Sequence, residues 1–317
     1  MGRMEILVIR QKIHGMDGSG YAELLAEQFP EHTVREATTP AEEQEGLRTA
    51  DIVTGFELSP EDLEIAENLK LFACVFAGTG HLDLEAFEDH GVAVTNASGV
   101  HGPNISEYIV GAMIHHAKRF GRARRQQERR EWRSYQTRDL HGSRVAIVGM
   151  GAIGTAAAER LDAFGMETVG VRYTPEKGGP TDEVYGFDGI HEAVDGAEYV
   201  VLACPLTDAT EGLIDEGVFQ TMHTDAILVN IARGPVVDTE ALVSALRWNR
   251  IGGAALDVFD PEPLPEDNPL WAMDNVTITP HNSGYSPEYF ERRGAILERN
   301  VDRLLNGDVD NLENRVV

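Results

Sequence analysis

"RVAIVGMGAIG", Arg144–Gly154, places an apolar strand pattern directly before a G-x-G-x-x-G turn made by Gly149, Gly151 and Gly154. The segment that follows, "TAAAERLDAF", has the pattern of a helix, so the glycines stand in the strand–turn–helix context that a dinucleotide-binding loop requires. Each glycine has a physical task. Gly149 permits the tight turn, Gly151 lets the backbone approach a pyrophosphate, and Gly154 allows helix and strand to pack closely. Ala152 and Ile153 open the helix, whose N-terminus presents free N–H groups to phosphate charge.

Outward from this stretch the chain alternates strand and helix. "EILVI", "DIVTG", "LFACVFA" and "VAVTN" precede it, with periodic segments such as 20–28 between them. "ETVGVRY", "YVVLAC", "AILVNI", "GAALDV" and "VTITP" follow it. Short apolar runs in this rhythm form parallel sheets covered by helices. The breaker cluster "GVHGPN" separates the two series and leads into a long helical stretch from Ile105. The fold class expected is therefore α/β, with two doubly wound parallel-sheet domains and a cleft between them. The last helical pattern, Pro287–Leu305, has no strand after it and is amphipathic, so it is expected to pack back on the first series. That makes one domain discontinuous, residues 1–100 with 285–317, and leaves 101–284 as the dinucleotide-binding domain.

The chain has 317 residues, enough for two buried cores, and 53 Asp plus Glu against 27 Lys plus Arg, a formal net charge of -26. Such a balance argues against nucleic acid or an anionic membrane as a partner. Only four of the cations are lysines: Lys12, Lys70, Lys118 and Lys177. An acidic, lysine-poor surface is of halophilic type, suited to salt in which the Debye length falls to about 3 Å. One segment runs the other way: 118–133, "KRFGRARRQQERREWR", holds eight basic residues against Glu128 and Glu131, and reads as a solvated or subunit-facing helix with Arg124 and Glu128 paired at i,i+4. A homodimer is expected. "MGRMEILVIRQK" lacks a long apolar region and no run reaches the length of a membrane span, so a cytoplasmic protein is expected. Cys74 and Cys204 sit in apolar runs as reduced packing residues, and no cluster has metal-ligand spacing, so no metal is expected.

At the end of the strand after the glycine turn, where a carboxylate would bind both ribose hydroxyls of NAD, stand Arg172, Tyr173 and Thr174. A guanidinium and two hydroxyls suit a 2′-phosphate, so NADP(H) is expected as the preferred cofactor, with NAD(H) usable. In "AILVNIARGPVVD", 226–238, an otherwise apolar run sets one arginine, Arg233, at its turn.

With "GMGAIG", "PLTDATEGLI", "NIARGPVVD", "GAALDVFDPEPLP" and "TPHNSG" in this order, the chain resembles the D-isomer-specific 2-hydroxyacid dehydrogenase family over essentially its whole length. The resemblance implies a Rossmann-type cofactor domain and a flavodoxin-like substrate (catalytic) domain. It also implies Arg233 as the substrate arginine, Glu262 as the carboxylate partner of the catalytic histidine, and His281 as that histidine. Ala77 and Gly78 match backbone amides that hold the substrate carboxylate, with Phe56 near the pocket. Asp257 matches the residue that meets the nicotinamide carboxamide, and Pro205, Thr210 and Asn104 complete the cofactor contacts. The residue chemistry agrees with these roles: a guanidinium fork can bind a carboxylate and the adjacent carbonyl of a 2-keto acid, and imidazole can give the proton that hydride transfer demands. Two features depart from the pattern. "HNSGYS" follows the histidine where paired glycines are more frequent, and Gly80 replaces a bulkier residue. Little chain follows the last helix, so the extra regulatory domain of longer phosphoglycerate dehydrogenases, and with it serine biosynthesis, is not expected. A dinucleotide-sensing corepressor is an alternative that the Arg233, Glu262, His281 set disfavours. A formate-type dehydrogenase expects an uncharged partner for the histidine, contrary to Glu262.

Overall fold

The computed structural model describes residues 2–10, 12–13 and 16–317. By its internal contacts the chain divides into two units, Met1–Val100 with Tyr285–Val317, and His101–Gly284.

The first unit contains β1 (Glu5–Val8), the two-residue strands β2 (Lys12–Ile13) and β3 (Met16–Asp17), α1 (Gly18–Gln28), β4 (Thr33–Glu36), α2 (Pro40–Leu47), β5 (Ile52–Gly55), α3 (Pro60–Ile65), β6 (Leu71–Cys74), α4 (Leu84–Asp89) and β7 (Ala93–Thr95). Five of its strands form a parallel sheet in the order β4-β1-β5-β6-β7. Because side chains alternate along a strand, each strand feeds two cores. Leu7, Val53, Phe72 and Val94 face Leu47, Leu63 and Phe87 of the helices on one side. Ile6, Ile52, Leu71 and Ala93 face Tyr21 and Leu25 on the other, together with Leu297 and Val301 of the terminal helix. Helices α2 and α3 each start at a capping box followed by proline, Thr39 with Glu42 and Ser59 with Asp62.

The second unit begins with α5 (Gly102–Ala117) and α6 (Phe120–Glu128), then runs β8 (Arg144–Val148), α7 (Ala152–Ala163), β9 (Glu167–Val171), β10 (Glu183–Tyr185), α8 (Ile190–Val194), β11 (Tyr199–Leu202), α9 (Glu216–Thr221), β12 (Ile227–Asn230), α10 (Thr239–Arg247), β13 (Gly253–Leu256) and β14 (Val276–Ile278). Its seven strands are all parallel, in the order β10-β9-β8-β11-β12-β13-β14. Val145, Ile147, Val201 and Val229 pack beneath α5 and α7, while Ala146, Val148, Leu202 and Leu228 pack beneath α8, α9 and α10. The chain then returns to the first unit through α11 (Tyr289–Leu305), which buries Tyr289, Ile296, Leu297 and Val301.

Two strands of the large parallel sheets carry no signal in the apolar pattern, and both are sheet edges: β4 and β10 are only partly buried, so their sequences need no apolar run. The basic segment is also shorter as a helix than its pattern suggests. Arg119, with φ of 53°, breaks it from α5, and α6 stops at Glu128, leaving residues 129–133 outside it. The pairing of Arg124 with Glu128 forms as expected, at 2.9 Å. Both cysteines are free and buried. No described helix is long and apolar enough to cross a membrane.

Leu297 is 2% exposed in the core that joins α11 to the first sheet. Leu297→Ala is expected to destabilise the first unit by about 2–5 kcal/mol. Hydrogen exchange should show faster opening of β1 and β5 while β8 and β11 keep their protection; equal loss in both units would contradict the division.

Candidate active site

The second sheet turns its carboxyl edge into a row of loops, each bearing one of the singled-out motifs. The first follows β8. Gly149 has φ of 104°, and a Cβ there would lie 2.5 Å from the backbone nitrogen of Cys204. A Cβ on Gly154 would come within 1.9 Å of the Gly149 carbonyl oxygen, so helix and turn meet backbone to backbone. Gly151, by contrast, faces open space and caps α7 without a side chain, and Ala152 and Ile153 supply the first free amides. These features fit a pyrophosphate: close packing behind, and unobstructed helix N–H groups in front.

The loop after β9 carries Arg172, Tyr173 and Thr174. Arg172 is half-buried and its Nη1 donates to the Gly178 carbonyl at 2.5 Å, which curls the loop around it. Tyr173 is exposed, and Thr174 precedes a turn of 3-10 helix. After β11, Pro205 is exposed, whereas Thr210 is buried. The Thr210 hydroxyl donates to the Pro205 carbonyl at 2.6 Å and accepts from the Thr207 amide at 2.8 Å. It therefore shapes the loop from within.

Arg233 follows β12. Asn230 braces its turn, accepting the Ala232 N–H at 3.0 Å and donating to the Arg233 carbonyl at 3.2 Å. The Arg233 side chain is exposed, with Nη1 donating to the Ala232 carbonyl at 2.6 Å, which leaves most of its fork free for a ligand. Next in sequence, Gly234 would place a Cβ 2.2 Å from the carbonyl carbon of Phe259. Glycine there brings the arginine turn against the loop that carries Glu262.

Glu262 uses both oxygens. Oε1 accepts the Phe259 amide at 2.9 Å, and Oε2 lies 2.9 Å from His281 Nδ1. A carboxylate so held fixes the ring and assigns the Nδ1 hydrogen to itself, leaving Nε2 to face a ligand. Both side chains are partly exposed.

His281 itself sits in the left-handed region, φ 53°, which is sparsely populated for a histidine and has to be imposed. The restraint is Asp257. Its carboxylate is fully buried and accepts from the Thr279 hydroxyl at 2.5 Å, the Asn282 amide at 2.7 Å and the Ser283 amide at 2.9 Å, while its carbonyl accepts the His281 amide at 2.8 Å. Expected from the resemblance to meet a nicotinamide, Asp257 is placed in this structure as the anchor of the histidine turn. The Thr279 hydrogen goes to Asp257, so Tyr108 on α5 donates to Thr279 Oγ1, at 2.7 Å. Burial pushes the Tyr108 phenol up to about 12, which keeps it a neutral donor. Asn104, one turn earlier in the same helix, donates to the Ser283 carbonyl at 2.9 Å. Tyr108 and Thr279 were not legible as site residues; the one trace is that Thr279 stands inside the "TPH" motif.

Phe56, Ala77 and Gly78 belong to the first unit, on the loops at the carboxyl ends of β5 and β6. Phe56 is 38% exposed and stacks on His81 with ring centroids 4.2 Å apart, and His81 Nε2 lies 2.9 Å from the Phe56 carbonyl. Ala77 and Gly78 are exposed. Among the described residues no three His, Cys, Asp or Glu side chains gather as a metal site.

Removing the Thr279 hydroxyl tests this anchor. Thr279→Val deletes a hydrogen bond to a buried carboxylate, a loss of about 1.5–3 kcal/mol, or roughly ten- to a hundredfold in the opening of the turn. Hydrogen exchange at Asn282 and Ser283 should accelerate by that factor, with β12 unchanged. Unchanged exchange would mean that the bond from the Thr279 hydroxyl to Asp257 does not help to hold the turn.

A family model for the NAD binding domain of D-isomer specific 2-hydroxyacid dehydrogenases matches residues 110–283. The chain is 32% identical over 291 residues to a D-3-phosphoglycerate dehydrogenase of Methanocaldococcus jannaschii, covering 90% of this chain but 55% of that protein, so it spans little more than half of that relative. It is 35% identical over 262 residues to a glyoxylate reductase of Thermofilum pendens, covering 80% of this chain and 77% of the other. Among solved structures, a D-isomer specific 2-hydroxyacid dehydrogenase of Xanthobacter autotrophicus in complex with NADPH and MES superposes with a TM-score of 0.80 at 28% identity, covering 99% and 98% of the two chains. The glycine turn, the parallel sheet behind it and the matched sequence together mean that this chain belongs to the D-isomer specific 2-hydroxyacid dehydrogenase family of NAD(P)-dependent oxidoreductases.

Proposed function

We propose that the protein is a D-2-hydroxyacid dehydrogenase acting as a reductase of small 2-keto acids, with NADPH preferred and NADH used less well. The observation that carries this reading is the His281–Glu262 pair at 2.9 Å, on the same sheet edge as Arg233 and the glycine turn. A dihydronicotinamide held at the glycine turn would supply the hydride that the keto carbon accepts. Arg233 binds the substrate carboxylate and keto oxygen through its fork, and so fixes the carbon that is attacked. Glu262 holds Nδ1–H, and Nε2 of His281 gives its proton to the substrate oxygen as negative charge grows there. In the oxidative direction the same nitrogen takes the proton back.

The remaining assignments belong to this reading. The first unit serves as the substrate domain, with Ala77 and Gly78 offering backbone amides to the carboxylate and Phe56 an apolar wall. Residues 101–284 serve as the cofactor domain, where Pro205, Thr210, Asp257 and Asn104 shape the walls of the cofactor site. Homodimer formation is supported by α6, which buries none of its residues, and by Trp132 beside it, which is fully exposed. The charge of -26 supports a cytoplasm rich in salt. Consumption of NADPH with glyoxylate, pyruvate and longer 2-keto acids in molar KCl tests the reading; binding of the nucleotide without turnover of any of them would favour a sensor instead.

Arg233→Lys replaces a fork by a point charge and is expected to cost at least about 1.5–3 kcal/mol of transition-state stabilisation, roughly ten- to a hundredfold in kcat/KM, while nucleotide affinity stays. Turnover close to wild type would remove Arg233 from the mechanism. For the cofactor, the guanidinium of Arg172 has donors beyond the one given to Gly178, and a contact to a 2′-phosphate is worth about ten- to a hundredfold in affinity. Arg172→Asp should swing the kcat/KM ratio toward NADH, because a carboxylate binds the ribose hydroxyls and repels the phosphate. A wild type that prefers NADH, or a ratio indifferent to this substitution, would defeat the assignment.

A further inference from the structure

Within the first unit, α11 buries an arginine. Arg293 is 4% exposed, and its guanidinium lies over the Tyr21 ring at 4.0 Å and beside Tyr289 and Phe290 at 5.4 and 6.0 Å. Nη2 donates to Thr54 Oγ1 at 3.2 Å. Nη1 is buried and has no acceptor among the described residues. The Thr54 hydroxyl gives its own hydrogen to the Ala73 carbonyl at 3.0 Å, so it offers Arg293 a lone pair and no charge.

Beside the guanidinium is a cavity of about 20 Å³ whose polar lining is Thr54, Cys74, Thr95, Asn96 and Arg293. Its size suits one water molecule or one monatomic ion. No carboxylate lines it, in a chain with 53 of them. A buried guanidinium keeps its charge and is tolerated only when paired. Three ring faces and the neighbouring Tyr289 hydroxyl give partial compensation, but the rings are attracted to the cation face rather than to the in-plane Nη1 hydrogens, and none of these groups carries a negative charge. Water would satisfy those hydrogens and leave the charge; a small anion does both.

We propose that this cavity binds a single monovalent anion of chloride size, held by Arg293 Nη1 and the Thr95 hydroxyl of its lining, and that the bound ion ties α11 to the sheet of the first unit. Arg293 reaches from α11 to Thr54 at the end of β5, so its counter-ion bridges the last helix of the chain and strands from its first hundred residues. The net charge of -26 repels anions at long range, so occupancy rises with salt both by mass action and by screening.

The test uses the full chain in potassium chloride, bromide and gluconate at matched ionic strength, gluconate being too large for the cavity. Above the dissociation constant, each tenfold rise in chloride should raise the folding equilibrium of the first unit about tenfold beyond the gluconate control. In crystals grown from bromide an anomalous peak should stand within hydrogen-bonding reach of Nη1. Thr95→Val, which keeps the arginine and the packing volume, should weaken the chloride increment, and Arg293→Met should abolish it. Identical melting in chloride and gluconate, a cavity holding water alone in bromide crystals, or a chloride increment that survives in Arg293→Met would each overturn the proposal. Should Arg293→Met fail to fold, the bromide peak and Thr95→Val still decide it.

Discussion

The buried carboxylate of Asp257 is the constraint on which the turn bearing His281, at the carboxyl edge of the second sheet, rests. Five residues from Thr279 to Ser283 turn sharply at the end of β14, with a histidine at positive φ in the middle. Such a turn has several amides to satisfy and no regular partner for them. Asp257, at the end of the neighbouring strand β13, accepts from three of its donors at once and takes the histidine amide on its carbonyl. Charge-assisted bonds in a site without water are strong enough to hold an unfavourable backbone conformation in place. The orientation of His281 is thus set before any ligand arrives.

The same logic extends sideways along the sheet. Strand order reverses where β8 meets β11, the point at which a doubly wound sheet offers its carboxyl edge to a ligand. Every motif of the second unit lies on that edge because the sheet is wholly parallel, so all its strands end on the same side. Glycine decides how near adjacent loops come. Gly154 meets the Gly149 carbonyl, and Gly234 meets the Phe259 backbone, so the phosphate loop and the arginine turn are both closed against neighbours by absent side chains.

The first unit solves a different problem. Its sheet is made from the first hundred residues, yet one of its faces is covered by α1 and by the last long helix of the chain. The helix brings apolar side chains that the core needs and, with them, a charged one. Arg293 reaches past Tyr21 to Thr54 among side chains that cannot neutralise it. A core that includes a cation is a core whose stability depends on what is dissolved around it.

The sequence by itself determined the local features whose physics is local. An apolar run, a glycine at a tight turn and a proline after a capping residue act within a few residues, so β8 with its glycine turn, the alternation of strand and helix and the expectation that 287–305 returns to the first series were all legible. The chemical types of Arg233, Glu262 and His281 were legible too, through five motifs in order, although one acid among 53 acidic side chains would not have stood out alone. Edge strands β4 and β10 were not, because a strand with one solvated side needs no apolar signature. Only the tertiary structure decided what Asp257 touches. Its partners lie 22 to 26 positions away, across a strand crossover, and no residue beside Asp257 in the chain marks them. Arg293 is the sharper case. In sequence it is one of two adjacent arginines on an amphipathic helix; its neighbour Arg292 is partly exposed, while Arg293 is buried at 4%, and the 100° step between successive helical residues is what separates their surroundings.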